Sequence, residues 1–125
     1  MRDSWQKQFP LVTEGVIRDF ARAIGDTNPI HRDHTAAAKI GLRGIIAPGV
    51  MVIGHISSAI AEEAPCVRVR RLEVEFLAPL YAGSHPLVSC TVSRRRGNIV
   101  FIAIEVKDGA EMIARGECFV ITPKL

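Results

Sequence analysis

From Gly49 to Glu62 the chain reads Gly-Val-Met-Val-Ile-Gly-His-Ile-Ser-Ser-Ala-Ile-Ala-Glu, a helical stretch that is apolar on nearly every side. A helix exposed to water shows one apolar stripe and one polar face, so a helix without a polar face has to be enclosed by the rest of the fold. The residues after it change from helical to alternating period. Val67/Val69 and then Leu72/Val74/Phe76 alternate with charged residues, and the phase slips at Arg70-Arg71 as a β-bulge makes it do. Leu80 to Ser84 reads as a turn. Leu87 to Ser93, Ile99 to Val106 and Met112 to Ile121 form further strands, parted by turn signals at Gly97-Asn98 and Asp108-Gly109.

Upstream of the long helix the pattern is helical. Gln8 to Val12 is an extended lead-in broken by Pro10 that could add a fifth strand, and Thr13 is a good N-cap. Val16, Ile17, Phe20, Ala21 and Ile24 recur at helical spacing and predict one buried face, ending at Gly25 as a C-terminal cap. Asp33 can cap a short alanine-rich helix from His34 to Ile40. The expected class is α+β, a single domain over residues 1–125 in which a curved antiparallel sheet wraps a long buried helix. A chain of this length buries a core without staples.

Composition narrows the function classes. Cys66, Cys90 and Cys118 lie far apart without metal-type spacing, so we read all three as reduced packing residues. No signal-peptide core and no membrane-length apolar run is seen, and a cytoplasmic protein with no membrane partner is expected. The net charge of +3 is mild. Arg68/Arg70/Arg71 and Arg94-Arg95-Arg96 concentrate basic character, but aromatic interleaving and nucleic-acid motifs are absent, so no nucleic-acid partner is expected. The second run, beside Gly97-Asn98, reads first as a solvated turn; a weaker reading lets one cluster meet the phosphates of a carrier-bound substrate. A serine-hydrolase elbow, paired metal-binding histidines and a glycine-rich nucleotide loop are also missing.

Two places can carry chemistry. Gly25-Asp26-Thr27-Asn28-Pro29-Ile30-His31 joins the first two helices, and Pro29 keeps Asn28 out of the helical region, giving an extended elbow between an acid and an imidazole. Asp26 and His31 can divide proton transfer between them, one taking while the other gives. Alternatively Asp26 ends one helix and His31 starts the next, and spacing leaves both readings open. Pro48-Gly49 opens the enclosed helix, where unpaired N–H groups at the positive end of the dipole can hold a developing oxyanion. Glycine there permits close approach of a carbonyl, although ordinary helix-start chemistry explains it too. His34 is expected on a helix surface, His85 in a turn and His55 as a satisfied histidine in the long helix, while Trp5 and Tyr81 pack at an edge or a dimer contact.

The run Phe20-x-x-x-x-Gly25-Asp26-Thr27-Asn28-Pro29-Ile30-His31-Arg32-Asp33-His34-Thr35-Ala36-Ala37 resembles the signature of the MaoC-like, or (R)-specific enoyl-CoA hydratase, family. The Pro-Gly start of the long helix and the order of elements match that family's single hot-dog unit. The resemblance implies a hydro-lyase of fatty acyl metabolism: reversible addition of water to a trans-2-enoyl thioester, giving the (R)-3-hydroxyacyl product. It implies a homodimer or dimer of dimers with the site near the interface, no cofactor and no metal, and a coenzyme A or acyl-carrier-protein thioester as substrate. By the motif match Asp26 and His31 are the catalytic pair, Asn28 a supporting hydrogen-bonding group, and the Gly49 N–H the donor to the thioester oxygen. Ser57, further along the same helix, matches a serine near the site in a relative, though a buried serine bonded to its own backbone explains it equally. Ile24 departs from the small or hydroxyl-bearing residue usual before Gly-Asp, which should alter packing behind the loop and not the chemistry, and leaves substrate preference open. The rival readings are a hot-dog thioesterase, which the Asn-Pro-φ-His elbow argues against, and a non-catalytic acyl-thioester binding module, in which Asp26 or His31 would have been lost.

Overall fold

The computed structural model describes residues 1–123 as β1 (Ser4–Gln8), α1 (Glu14–Ala23), a short 3-10 turn (Pro29–His31) and α2 (His34–Lys39), followed by α3 (Gly49–Glu63), β2 (Arg68–Phe76), β3 (Pro86–Arg96), β4 (Ile99–Asp108) and β5 (Glu111–Ile121). The strands make one antiparallel sheet in the order β1-β3-β4-β5-β2, so β1 and β2 are its edges. The bulge expected near Arg70 is present as a register shift between Val69 and Arg71. Alternation puts Val88, Cys90, Val100, Ile102, Ile104, Val106, Cys118 and Val120 in the core, where Met51, Val52, Ile56, Ala59 and Ile60 of α3 join them. This is the hot-dog arrangement, a sheet packed against one long helix. Among the described residues no helix is long and apolar enough to cross a membrane.

The sheet reaches only one side of α3. Val50 on the other side is 54% exposed, and Gly54 and Ser57 are exposed as well. Five strands of one chain cannot encircle a helix, so the apolar sequence of α3 exceeds what this chain covers.

Several elements differ from the sequence reading, each for a physical reason. The N-terminal strand is Ser4–Gln8, earlier than the lead-in at residues 8–12. It is fixed by a ladder to β3 and by Trp5, whose buried ring donates its Nε1–H to Ala59 O at 2.9 Å. Arg94, Arg95 and Arg96 belong to β3 and not to a turn, because the β3–β4 ladder continues to Arg96–Ile99. Arg94 stacks its guanidinium 4.1 Å from the Phe101 ring centre, and Arg95 binds Asp3 at 2.8 Å. Long arginine stems lie along an outer sheet face while their heads stay in water. In α1, Ile17 and Ala21 are buried but Val16 and Ile24 are exposed, since the face that the fold covers is narrower than the apolar stripe. Cys66, expected in the packing, is exposed just past α3, whereas Cys90 and Cys118 are buried.

Candidate active site

The loop after α1 is set by backbone chemistry. Gly25 adopts φ 71°, a left-handed conformation that costs side-chain-bearing residues energy, and the chain closes the helix with Gly25 N–H to Arg22 O at 3.1 Å and Asp26 N–H to Ala21 O at 2.8 Å. Asp26 Oδ1 accepts from Asn28 N–H at 3.0 Å, and Asn28 Oδ1 accepts from Ile30 N–H at 3.3 Å. Asn28 is extended at ψ 121°, as a residue before proline should be, but Pro29–His31 then forms a 3-10 turn in place of a fully extended elbow. Asp33 next caps α2 by accepting from Thr35 N–H at 2.8 Å and Ala36 N–H at 3.3 Å.

These turns bring the acid and the imidazole together. His31 is 6% exposed, with Nε2 3.2 Å from Asp26 Oδ2, while the Asp26 side chain keeps 30% exposure. The other ring nitrogen, Nδ1, lies 2.6 Å from the carbonyl oxygen of Ile46. A carbonyl only accepts, so Nδ1 carries a proton and donates it. In a neutral ring Nε2 then presents a lone pair to a carboxylate oxygen, two acceptors face to face. A proton between Nε2 and Oδ2 converts that contact into a charge-assisted bond. The two groups are therefore within reach of direct proton transfer, with the Asp26 side open to solvent. Asp26, Asn28 and His31 line a cleft of about 790 Å³ whose rim carries Arg18, Arg22 and Arg32.

Gly49 opens elsewhere. It lines a smaller cleft of about 350 Å³ with Ile46, Ala47, Val52, Phe76 and Leu80. Ile46 lines this second cleft and also bonds His31, so the two places share one residue. Pro48 supplies no side-chain cap to α3. The space a Cβ at Gly49 would need is taken by Phe76, whose Cζ would be 3.2 Å away, so here the close approach that glycine permits is made by an aromatic ring. Ser57 is exposed on the uncovered side of α3 and lines neither cleft, contrary to the buried, backbone-bonded alternative.

The remaining histidines sort as follows. His34 is exposed and pairs with Glu14 at 2.5 Å, and His85 is exposed in the turn before β3. His55 is not satisfied as expected: its buried Nδ1 has no hydrogen-bond partner among the described residues, the ring tilts against Phe9 at 4.4 Å, and burial pushes its pKa down. An unpaired nitrogen is tolerable in a neutral ring held against an aromatic neighbour. Sequence reasoning missed Ile46, which acts through its backbone and has no side-chain signature. It also missed Phe76 over Gly49 and the cleft-rim arginines. Arg18 and Arg22 were legible in principle, being four residues apart on the polar face of α1.

Comparison with known proteins places these features in context. The family model described as MaoC like domain matches residues 6–113. A search of curated proteins finds no matching relative. Among solved structures, the chain is similar to the R-hydratase PhaJ1 from Pseudomonas aeruginosa, with a TM-score of 0.89 at 25% identity, covering 100% of this chain and 84% of that one. It is similar to the (R)-hydratase from A. caviae involved in PHA biosynthesis, with a TM-score of 0.88 at 19% identity and 98% of each chain covered. It is also similar to the HadBC (3R-hydroxyacyl-ACP dehydratase) complex from Mycobacterium tuberculosis, with a TM-score of 0.73 at 17% identity and 94% of each chain covered.

Proposed function

Because the chain belongs to the MaoC-like domain family, whose model spans most of its length, we propose that it catalyses reversible (R)-specific hydration of trans-2-enoyl thioesters. The observation that carries this reading is the Asp26–His31 contact at 3.2 Å, with Nδ1 of the imidazole fixed by Ile46 O. Water is a poor nucleophile, so a base has to draw off its proton as oxygen bonds to C3 of the enoyl group. The pair takes that proton and returns one to C2 on the same face, so one water adds across the double bond and nothing else is consumed. Negative charge builds on the thioester oxygen meanwhile. The Gly49 N–H, at the positive end of α3, would stabilise it by about 3 kcal/mol, the value of one such donor elsewhere. Val52, Leu80 and Ile46 give the adjoining cleft an apolar wall suited to an acyl chain. Asn28 has its oxygen committed to Ile30, which leaves its NH₂ for substrate or water. Ser57 has no role in this scheme within one chain.

The carrier is coenzyme A or an acyl carrier protein, and two or four copies form the working assembly. Support for self-association comes from the open edge of β2, from exposed Val69, Phe76 and Leu77 at that edge, and from Val50 on the uncovered side of α3.

The test is loss of enoyl-thioester absorbance when purified protein meets crotonyl-CoA. Asp26→Asn and His31→Ala are each expected to lower the rate about 1000-fold while circular dichroism stays native. Release of free thiol from acyl-CoA with enoyl substrates untouched would replace this reading by a thioesterase, and binding without reaction would replace it by a carrier module.

A further inference from the structure

His31 is held by a carbonyl that belongs to no regular element. Residues 42–48 contain neither helix nor strand beyond one bridge, yet Ile46 O sits 2.6 Å from Nδ1. Such a segment keeps a fixed place only through its outside contacts. Ile46 N–H donates to Ile30 O at 3.2 Å, so Ile46 grips the 3-10 turn on both sides of the Ile30–His31 peptide. From behind, the segment is pinned to the chain just after β2. Ala47 N–H donates to Leu80 O at 2.8 Å, Ala82 N–H donates to Ile45 O at 3.0 Å, and Ile46 faces Tyr81 in an antiparallel bridge.

The side chain of Tyr81 then folds back over the same segment. Its hydroxyl accepts from Arg43 N–H at 3.4 Å, and the Arg43 guanidinium lies 3.9 Å from the ring centre. Gly44 lies beside the ring, where even a Cβ would meet Tyr81 Cδ1 only at an ordinary contact distance of 3.9 Å. Backbone bonds thus hold residues 45–47 while the ring and the guanidinium hold 43–44. The chain has one tyrosine, and its place is this clamp and not a sheet edge.

We propose that Tyr81, stacked with Arg43, is a positioning residue that fixes the orientation of the His31 imidazole through the carbonyl of Ile46. The ring and the guanidinium hold residues 43–44, the backbone bonds at residues 45–47 carry that placement to the Ile46 carbonyl, the carbonyl sets the ring plane and keeps the proton on Nδ1, and the ring plane aims Nε2 at Asp26. Outer partners of this kind act on rate by holding a reacting nitrogen in line. The kinetic part of the proposal rests on the hydration reading above; the structural part does not.

The test uses Tyr81→Ala, Arg43→Ala and the conservative Tyr81→Phe, read by nitrogen and proton NMR of the His31 ring without substrate and by kcat and KM on crotonyl-CoA. Arg43 is exposed, so its variant folds even if Tyr81→Ala does not. Tyr81→Ala and Arg43→Ala are expected to lower kcat about tenfold with KM within about twofold, and to shift or broaden the Nδ1–H signal. Tyr81→Phe, which keeps the ring, should stay within about threefold of the parent. Variants that melt earlier but keep the parent imidazole signals and kcat would reduce Tyr81 to ordinary packing and overturn the proposal. If the parent protein hydrates no enoyl thioester while the imidazole signals still respond to Tyr81→Ala, the reaction is wrong and the positioning stands.

Discussion

Gly116→Ala is the substitution this fold should tolerate least. Gly116 lies in β5, directly between Val74 of β2 and Ile104 of β4. A Cβ there would sit 2.1 Å from Glu73 O and 3.1 Å from Glu73 C, both main-chain atoms that no rotamer change can move. Carbon and carbonyl oxygen approach to about 3.3 Å at closest, so β2 has to retreat by about 1 Å. That stretch takes ladder bonds of about 2.9 Å past the range of a hydrogen bond. β5 is the sheet neighbour of β2, and β2 lies at the edge, so the sheet offers no substitute partner. Two lost bonds at about 1 kcal/mol each, plus the strain of overpacking, amount to about 4 kcal/mol. With an unfolding entropy of about 2.1 cal/mol/K per residue over 125 residues, the melting temperature should fall by about 15 °C. Thermal unfolding followed by circular dichroism measures it. A fall under about 4 °C with a native spectrum would refute the close β2–β5 approach on which the estimate stands.

Two further outcomes follow from the cysteines and from the N-terminus. Burial pushes the Cys90 thiol up to about 12, helped by the neighbouring Cys118, and Cys118 up to about 11, so a thiol-specific reagent should label Cys66 alone in the native protein and all three cysteines after unfolding. Labelling of two or three thiols at the rate of Cys66 would contradict the packing. Glu63 is held at about 2 by hydrogen bonds from the Arg2 side chain first and then its backbone N–H, at distances of 2.7 to 3.0 Å. A carboxylate with a lowered pKa stabilises the fold fully above its ordinary range near 4.5, and that contribution fades as pH falls toward 2. Melting temperature against pH should therefore have a shallower acid limb in Glu63→Gln, and the difference between variant and parent should shrink in high salt because the pair is at the surface.

Local chemistry was legible where a signal is carried by neighbours in the chain. Thr13 caps α1 through its bond from Val16 N–H, Asp33 caps α2, and the turns at Gly97 and Gly109 join the strands as expected. The bulge beside Arg70 was visible because a slipped register leaves two charged residues in a row. Charge runs misled the reading of Arg94 to Arg96, since a long cationic side chain fits an outer sheet face as well as a turn. Helical spacing assigned Val16 and Ile24 to the buried face, but spacing marks a stripe and not its width, which depends on what packs against it.

The sequence by itself determined the α+β order of elements, the apolar helix that needs a covering sheet, and the loop that offers an acid and an imidazole. Each depends on periodicity, capping or turn residues, which act over a few positions. Only the tertiary structure decided that the sheet covers one side of α3, that Phe76 rests on Gly49, and that Ile46 O fixes the proton on His31. Every residue carries the same backbone carbonyl, so the choice of Ile46 leaves no mark in the residue types. It is made when the chain after β2 pins residues 45–47 beside the turn that carries His31.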